Sequence, residues 1–184
     1  MVLPELRSNP TIAIHLAAPR DVVENIAVLA DLLIDAVGDS TLGFTAPVPR
    51  NVALDYWRSV APELDGGRRL MLLARDAAQD DRIVGSGQLA LPAAPNARHR
   101  AEVQKLFVSA DMRGRGIGRR IMHALHGAAR THDRTLILLG TRCGSAAERL
   151  YRSLGYTRIG VVPGYAMGNA GERYDNAMFY LERT

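Results

Sequence analysis

The 184-residue chain has a single cysteine, Cys143, which excludes a disulfide framework. It has one lysine, Lys105, and every other basic side chain outside the histidines is arginine, a residue suited to planar, forked contacts with phosphate or carboxylate. Long apolar runs are missing as well. The longest, from Ile26 to Val37, is interrupted by Asp31 and Asp35 and falls short of the ~20 residues that span a bilayer, so no transmembrane helix and no membrane partner are expected. The opening residues Met-Val-Leu-Pro-Glu carry neither a basic stretch nor an unbroken apolar segment; no secretory signal is expected, and a reducing cytoplasm is the expected address. What remains, 47% hydrophobic and 23% charged positions, is ordinary for one domain that can hide roughly 70% of its unfolded surface without a metal or disulfide staple.

The formal net charge of +4 raises the question of a nucleic-acid partner. Its distribution answers it: between Arg98 and Arg120 seven basic residues face two acidic ones, Glu102 and Asp111, and the rest of the chain is close to neutral. A basic excess confined to one glycine-containing segment predicts a pocket for a small polyanion, whereas a surface that tracks a phosphate backbone spreads its charge. No nucleic acid is therefore expected.

Hydrophobic spacing predicts a strand at 11–16, a helix at 21–37 stopped by Gly38, a loop at 38–49, and a helix from Asn51 that Pro62 closes off. An antiparallel hairpin follows at 69–75 and 83–91, then a strand at 102–108. A helix at 117–132 carries Ile117, Ile121, Leu125 and Ala128 on one face, and a strand at 135–139 leads to a helix at 145–154 with Ala147, Leu150, Tyr151 and Leu154 on its stripe. Strands at 156–162 and 177–181 finish the chain. This order implies a mixed sheet covered by helices.

The segment Arg113-Gly114-Arg115-Gly116-Ile117-Gly118 lies where a strand hands over to a helix. Alternate glycines leave main-chain N–H groups unscreened, and the first helical turn adds unpaired amides and the positive end of the helix dipole. Flanking arginines supply forked donors, so the expected target is a pyrophosphate. A dinucleotide fingerprint fails because Arg119 stands where its third glycine belongs, and a Walker loop fails for want of Gly-Lys-Ser/Thr. The alternative is that Gly114 and Gly116 serve only a tight turn.

The pattern Val103-x-x-Leu106-x-Val108 followed by Arg113-x-x-Gly116-x-Gly118 resembles the acetyl-coenzyme A loop of the Gcn5-related N-acetyltransferase (GNAT) superfamily. Ala147-x-x-x-Tyr151 ahead of Leu154-Gly155-Tyr156 is similar to a second signature of that superfamily. The likeness covers roughly 69–181. Within it, Arg100-Ala101-Glu102-Val103-Gln104-Lys105-Leu106, Gly144 to Glu148, and Tyr156 to Gly160 through Tyr165 look like the tabtoxin-resistance acetyltransferase branch. That branch has an acidic residue before the threonine that ends the strand, where this chain has Gly140-Thr141; the branch's particular substrate is thereby put in doubt.

The resemblance implies an α/β (α+β) GNAT fold: a mixed, mostly antiparallel sheet of six to seven strands, flanked by about four helices and splayed at a central parallel pair. It implies one domain over 1–184, with an N-terminal strand and acceptor-side helices at 8–67 and an acetyl-CoA-binding core at 68–182. The implied reaction is acetyl transfer from acetyl-CoA to a primary amine of a small molecule such as an amino acid, toxin or antibiotic. The pyrophosphate is assigned to the amides of Arg113, Gly114, Arg115, Gly116, Ile117, Gly118 and Arg119, and the pantetheine arm to the main chain of Leu106, Phe107 and Val108. An aliphatic ammonium of pKa about 10.4 is deprotonated only to ~1 part in 2,500 at pH 7, a cost of about 4.6 kcal/mol, so a base is needed. Glu102 resembles the superfamily's base, acting through water because a carboxylate is weak toward an ammonium; its other reading is a solvated ion pair with Arg98 or Arg100. Tyr151 matches the superfamily's tyrosine and would protonate the departing thiolate; its other reading is a core aromatic.

Other residues carry less. Cys143 has no assignable catalytic partner, and His123 and His126, expected to face solvent, lack further ligands for zinc, so no metal is expected. Tyr56 and Trp57 wall an acceptor pocket or simply fill the core, and Tyr165, Glu172, Arg173 and Asp175 lie in a penultimate loop within reach of substrate. A protein N-terminal or lysine acetyltransferase and a non-catalytic acyl-CoA sensor are the competing readings, and the last two strands leave monomer and homodimer both open.

Overall fold

A computed structural model describes residues 11–39 and 42–182. The opening residues, residues 8–10 of the expected N-terminal section, and residues 40 and 41 of the expected 38–49 loop lie outside the described residues. Seven strands form one sheet in the order β1-β2-β3-β4-β5-β7-β6. They are β1 (Ile12–Leu16), β2 (Arg69–Asp76), β3 (Arg82–Ala90), β4 (Arg100–Val108), β5 (Leu136–Arg142), β6 (Thr157–Met167) and β7 (Arg173–Glu182). Every neighbouring pair is antiparallel except β4 and β5. The helices are α1 (Pro19–Glu24), α2 (Ile26–Asp39), α3 (Arg50–Asp65), α4 (Ile117–Thr131) and α5 (Ala146–Ser153).

Five helices stand where about four are expected because the helix expected at 21–37 is two. Asn25 caps the first with non-helical backbone angles while its side-chain amide donates to Asp21 O at 2.8 Å, and the chain turns into α2 at Ile26. Gly38 does not stop that helix, which continues to Asp39. Pro62 does not close α3, since it sits inside a helix that runs to Asp65; a proline removes one ladder bond, and in a last turn few remain to lose. The expected penultimate loop is mostly strand: Tyr165 belongs to β6, and Arg173 and Asp175 to β7.

Alternation along each strand divides the core in two. One face of the sheet packs Leu70, Leu72, Val84, Leu89, Val103, Ile137 and Leu139 against Ile117, Ile121, Met122, Leu125 and Ala129 of α4 and Tyr151 of α5. The other packs Met71, Leu73, Ile83 and Phe107 against α1–α3 through Val22, Leu29, Leu33, Ala53 and Trp57. Each fully buried side chain of this kind contributes about 1.5–3 kcal/mol relative to exposure. Helix α4 lies so close to β3 that a Cβ at Gly87 would come within 2.6 Å of Ile121 Cγ2. The inward face of α4 ends on Ala129, with Ala128 beside it at the margin of the core.

Candidate active site

The parallel pair is brief. Only Arg100, Ala101 and Glu102 pair with Leu136, Ile137 and Leu138, after which the two strands part. The cause lies within β4: Gln88 pairs with Gln104 and Ser86 with Phe107, so β4 carries an extra residue, a bulge that bends the strand away from its neighbour. Lys105 sits at the bulge in left-handed backbone, φ 50°. Past it, the main-chain groups of Leu106, Phe107 and Val108 on the β5 side have no strand partner, in the middle of a sheet where such groups are ordinarily paired.

The opening leads into a cleft of about 470 Å³ lined by Leu106, Phe107, Val108, Met112, Arg113, Gly114, Gly116, Ile117, Gly118 and Arg119 from one side, and by Thr141, Arg142, Ser145, Ala146, Ala147 and Leu150 from the other. Gly116 caps α4 at φ 76°, a conformation that glycine adopts freely. The first bond of that helix runs from Arg120 N–H to Gly116 O at 3.1 Å, which leaves the amides of Gly116, Ile117 and Gly118 without intrahelical acceptors at the positive end of the dipole. A Cβ at Gly114 or Gly116 would meet nothing within 4 Å, so open space lies beside both glycines. The donor set fits a diphosphate.

The arginines divide their work. Arg113 donates from Nε to Val108 O at 3.1 Å, tying the loop to the end of β4, and Arg119 donates to Ser153 Oγ at 2.6 Å, joining α4 to α5. Arg115 is exposed and does not line the cleft; its guanidinium approaches Asp111 O at 3.5 Å. Arg120 reaches across the sheet to Ile12 O at 2.7 Å. On the opposite wall, Ser145 caps α5 by accepting the Glu148 amide at 3.1 Å, and Glu148 accepts the Gly144 amide at 2.6 Å.

Glu102 is exposed at the last paired position of β4, where the strands begin to part. Tyr151 is 5% exposed, with its ring against Tyr156 at 5.8 Å and Phe179 at 6.4 Å between centroids. It is the next residue after Leu150, which lines the cleft, but is not itself among the lining residues. Burial pushes its phenol above the ordinary tyrosine range, so it stays protonated through neutral pH. Contrary to expectation, His126 does not face solvent: it is 1% exposed and its Nε2 lies 2.9 Å from the Tyr156 hydroxyl. On a short amphipathic helix the face of an imidazole depends on which neighbour waits with a partner. Cys143 is half-buried and in a free state, and among the described residues no group of three His, Cys, Asp or Glu is placed to hold a metal.

A polar cluster between α3 and the sheet is a feature that the motifs did not announce. Tyr56 donates to Gln88 Oε1 at 2.8 Å; Arg69 donates through Nη1 to the same oxygen at 2.6 Å and to Gln104 Oε1 at 2.9 Å, and through Nε to Glu63 at 2.5 Å. Burial raises the Tyr56 phenol to about 12, partly offset by the Arg69 charge. Of the aromatic pair on α3, Trp57 is core, fully buried, and Tyr56 is the one that faces the cluster. A second groove of about 560 Å³ runs between Phe44, Pro47 and Val52 and the β6 residues Tyr165 and Met167; the Ala46 amide donates across it to Asn169 Oδ1 at 2.6 Å. Arginine and glutamine at inward strand positions, in runs otherwise apolar, were the available signal for the cluster.

Comparison with known proteins bears on this geometry. Among solved structures, the chain is similar to an N-acetyltransferase from Staphylococcus aureus Mu50, with a TM-score of 0.73, 17% identity, and 95% of this chain and 99% of that one covered. It is similar to yncA of Salmonella typhimurium, a structure with acetyl-CoA, at a TM-score of 0.71, 18% identity, and 96% and 95% coverage. A ribosomal-protein-alanine N-acetyltransferase from Brucella melitensis gives 0.70, 21% identity, and 92% and 99% coverage. These likenesses show a shared fold. Residues 67–158, half of the chain, match the family described as the acetyltransferase (GNAT) domain. The chain therefore belongs to the GNAT acetyltransferase family and is an acyltransferase that draws on acetyl-CoA.

Proposed function

We propose that the chain is a single-domain N-acetyltransferase, spanning 1–184, that moves the acetyl group of acetyl-CoA to a primary amine on a small molecule. The observation that carries this reading is the parting of β4 and β5 beyond Glu102 and Leu138, with a ring of glycine amides at its mouth. The amides of 113–119 take the pyrophosphate, and the side of Leu106, Phe107 and Val108 that faces away from β3 takes the pantetheine amides as an added strand. Residues 68–182 carry this coenzyme core, and 8–67 supply an N-terminal strand and the acceptor-side helices.

The amine reaches the thioester from the side of Glu102. Glu102, through water, accepts the proton that the ammonium must lose. The amine lone pair attacks the carbonyl carbon, the C–N bond forms and the C–S bond breaks. The thiolate takes a proton from Tyr151, whose buried phenol is protonated at neutral pH, and the second N–H proton, lost from the adduct as the amide forms, restores that phenol through water.

Gly140 puts the particular substrate of the tabtoxin-resistance branch in doubt for this chain. A side chain at position 140 would bring its Cβ within 2.6 Å of Asn176 Nδ2 and 3.0 Å of Met178 Sδ, so Asn176 fills the room an acidic side chain would take. Thiol release from acetyl-CoA across a panel of amino acids, aminoglycosides and peptides tests the proposal. Release with small amines supports it, release with peptides alone replaces it with a protein acetyltransferase, and acetyl-CoA binding without release on any amine leaves an acyl-CoA sensor.

A further inference from the structure

Lys105 is held at two costs, a strained backbone and a partly buried charge, offset in part by the faces of two rings. Its backbone lies in the left-handed region at φ 50°, which costs a residue with a side chain of order 1 kcal/mol. Its ammonium lies beside a pair of touching rings, Nζ standing 5.3 Å from the centroids of both Phe44 and Tyr56, which are themselves 5.5 Å apart and edge to face, and a Cβ at Gly43 would come within 3.0 Å of it. Burial and then the Arg69 charge lower its pKa, and only Glu102 opposes them. Among the described residues no carboxylate forms an ion pair with Lys105 and no oxygen accepts a hydrogen bond from it. A half-buried cation is ordinarily paired, and backbone strain of this kind concentrates where a ligand is handled.

The surroundings have donors to spare. The one carboxylate in the polar cluster, Glu63, is engaged by Arg69, and the buried amide Nε2 of Gln88 has no acceptor while its Oε1 takes two donors. Lys105 immediately precedes the strand segment 106–108 that lines the coenzyme cleft, and its ammonium emerges on the opposite face, among Phe44 and Tyr56. An amine entering beside Glu102 therefore brings its own substituents up to Lys105.

We infer that the acceptor is an amine that also bears a carboxylate, and that Lys105 is the counter-ion that receives this carboxylate beside the Phe44 and Tyr56 rings. The inference rests on the proposed acetyl transfer and narrows its substrate class. The bulge that opens the coenzyme cleft thus also aims the chain's lone lysine at the substrate.

Matched pairs of α-amino acids and their carboxamides separate the two questions. With wild type, the acid is expected to exceed the amide in kcat/KM by roughly 10- to 100-fold, the range of one charge-assisted hydrogen bond. Lys105→Met is expected to bring that ratio close to one, and Lys105→Arg to keep part of it. A wild type that takes both partners equally, or a Lys105→Met variant with an intact preference, would overturn the inference. Because Lys105 is the only lysine, reductive 13C-methylation of the wild-type protein gives one lysine signal beside that of the N-terminal amine. The signal should move with the amino acids and not with the amides; a signal indifferent to both overturns the inference without any transfer being needed. Calorimetry with acetyl-CoA on the same sample judges the transfer reading separately.

Discussion

The proposed coenzyme site and the proposed acceptor site are built on different principles. The first draws on main-chain groups: amides at the start of α4 and the unpaired edge of β4 beyond its bulge. The second draws on side chains, with Tyr56, Arg69, Gln88, Gln104 and Lys105 gathered from one helix and three strands. Main-chain recognition tolerates any side chain that leaves the backbone path intact, so it fits a cosubstrate that never changes. Side-chain recognition can be altered one residue at a time, which is where specificity belongs.

This contrast can be broken most forcefully at Gly118. Its Cβ would make only ordinary contacts, Leu150 Cδ2 at 3.6 Å and Val108 Cγ2 at 3.9 Å, so Gly118→Asp should fold. A carboxylate beside a diphosphate should nevertheless weaken acetyl-CoA binding by roughly 100-fold or more in calorimetry, with little change in Tm. Retained affinity would move the coenzyme out of this cleft.

Tyr151→Phe is the next largest. Loss of a general acid should lower kcat by roughly 100-fold with the acetyl-CoA KM unchanged, whereas a purely packing role would leave kcat intact. Glu102→Gln should reduce kcat/KM at neutral pH by roughly tenfold or more. That deficit should shrink as pH rises and the free amine supplies itself; a deficit constant across the pH profile would remove the base role.

The smallest effect sharpens the comparison from the stability side. In the folded chain burial and Arg69 disfavour the Lys105 ammonium, so its folded pKa lies below its unfolded one. The charge therefore opposes folding at neutral pH, and the cost fades as pH rises through the folded pKa. Lys105→Met should raise Tm by roughly 1–3 °C at pH 7 and by less in alkaline buffer. A lower Tm at pH 7 would mean that the lysine is structural.

The same contrast explains what the sequence disclosed. The coenzyme side lies in one stretch, 100–120, where a strand, alternate glycines and an amphipathic helix follow one another, so local rules reach it. Arg69, Gln88 and Gln104 meet only because β2, β3 and β4 align in a particular register, and register is not written in any one of the strands. The break at Asn25 escaped because apolar spacing runs on through it, and the burial of His126 because its partner, Tyr156, is supplied by a distant segment. Seven strands were legible in hydrophobic alternation, whereas the parting of the sheet at the parallel pair came with the resemblance alone.

Strand β6 lies at the border of the sheet, and Ile159, Val161, Val162, Tyr165 and Met167 on it are all more than a third exposed. A flat ribbon of that make-up would invite another chain to zip onto it. Pro163 withholds one main-chain donor in its middle, and the register slips between Val162 and Ala166. A proline and a register slip are devices that blunt an exposed edge, so Pro163→Val should increase dimers and larger species in size-exclusion chromatography.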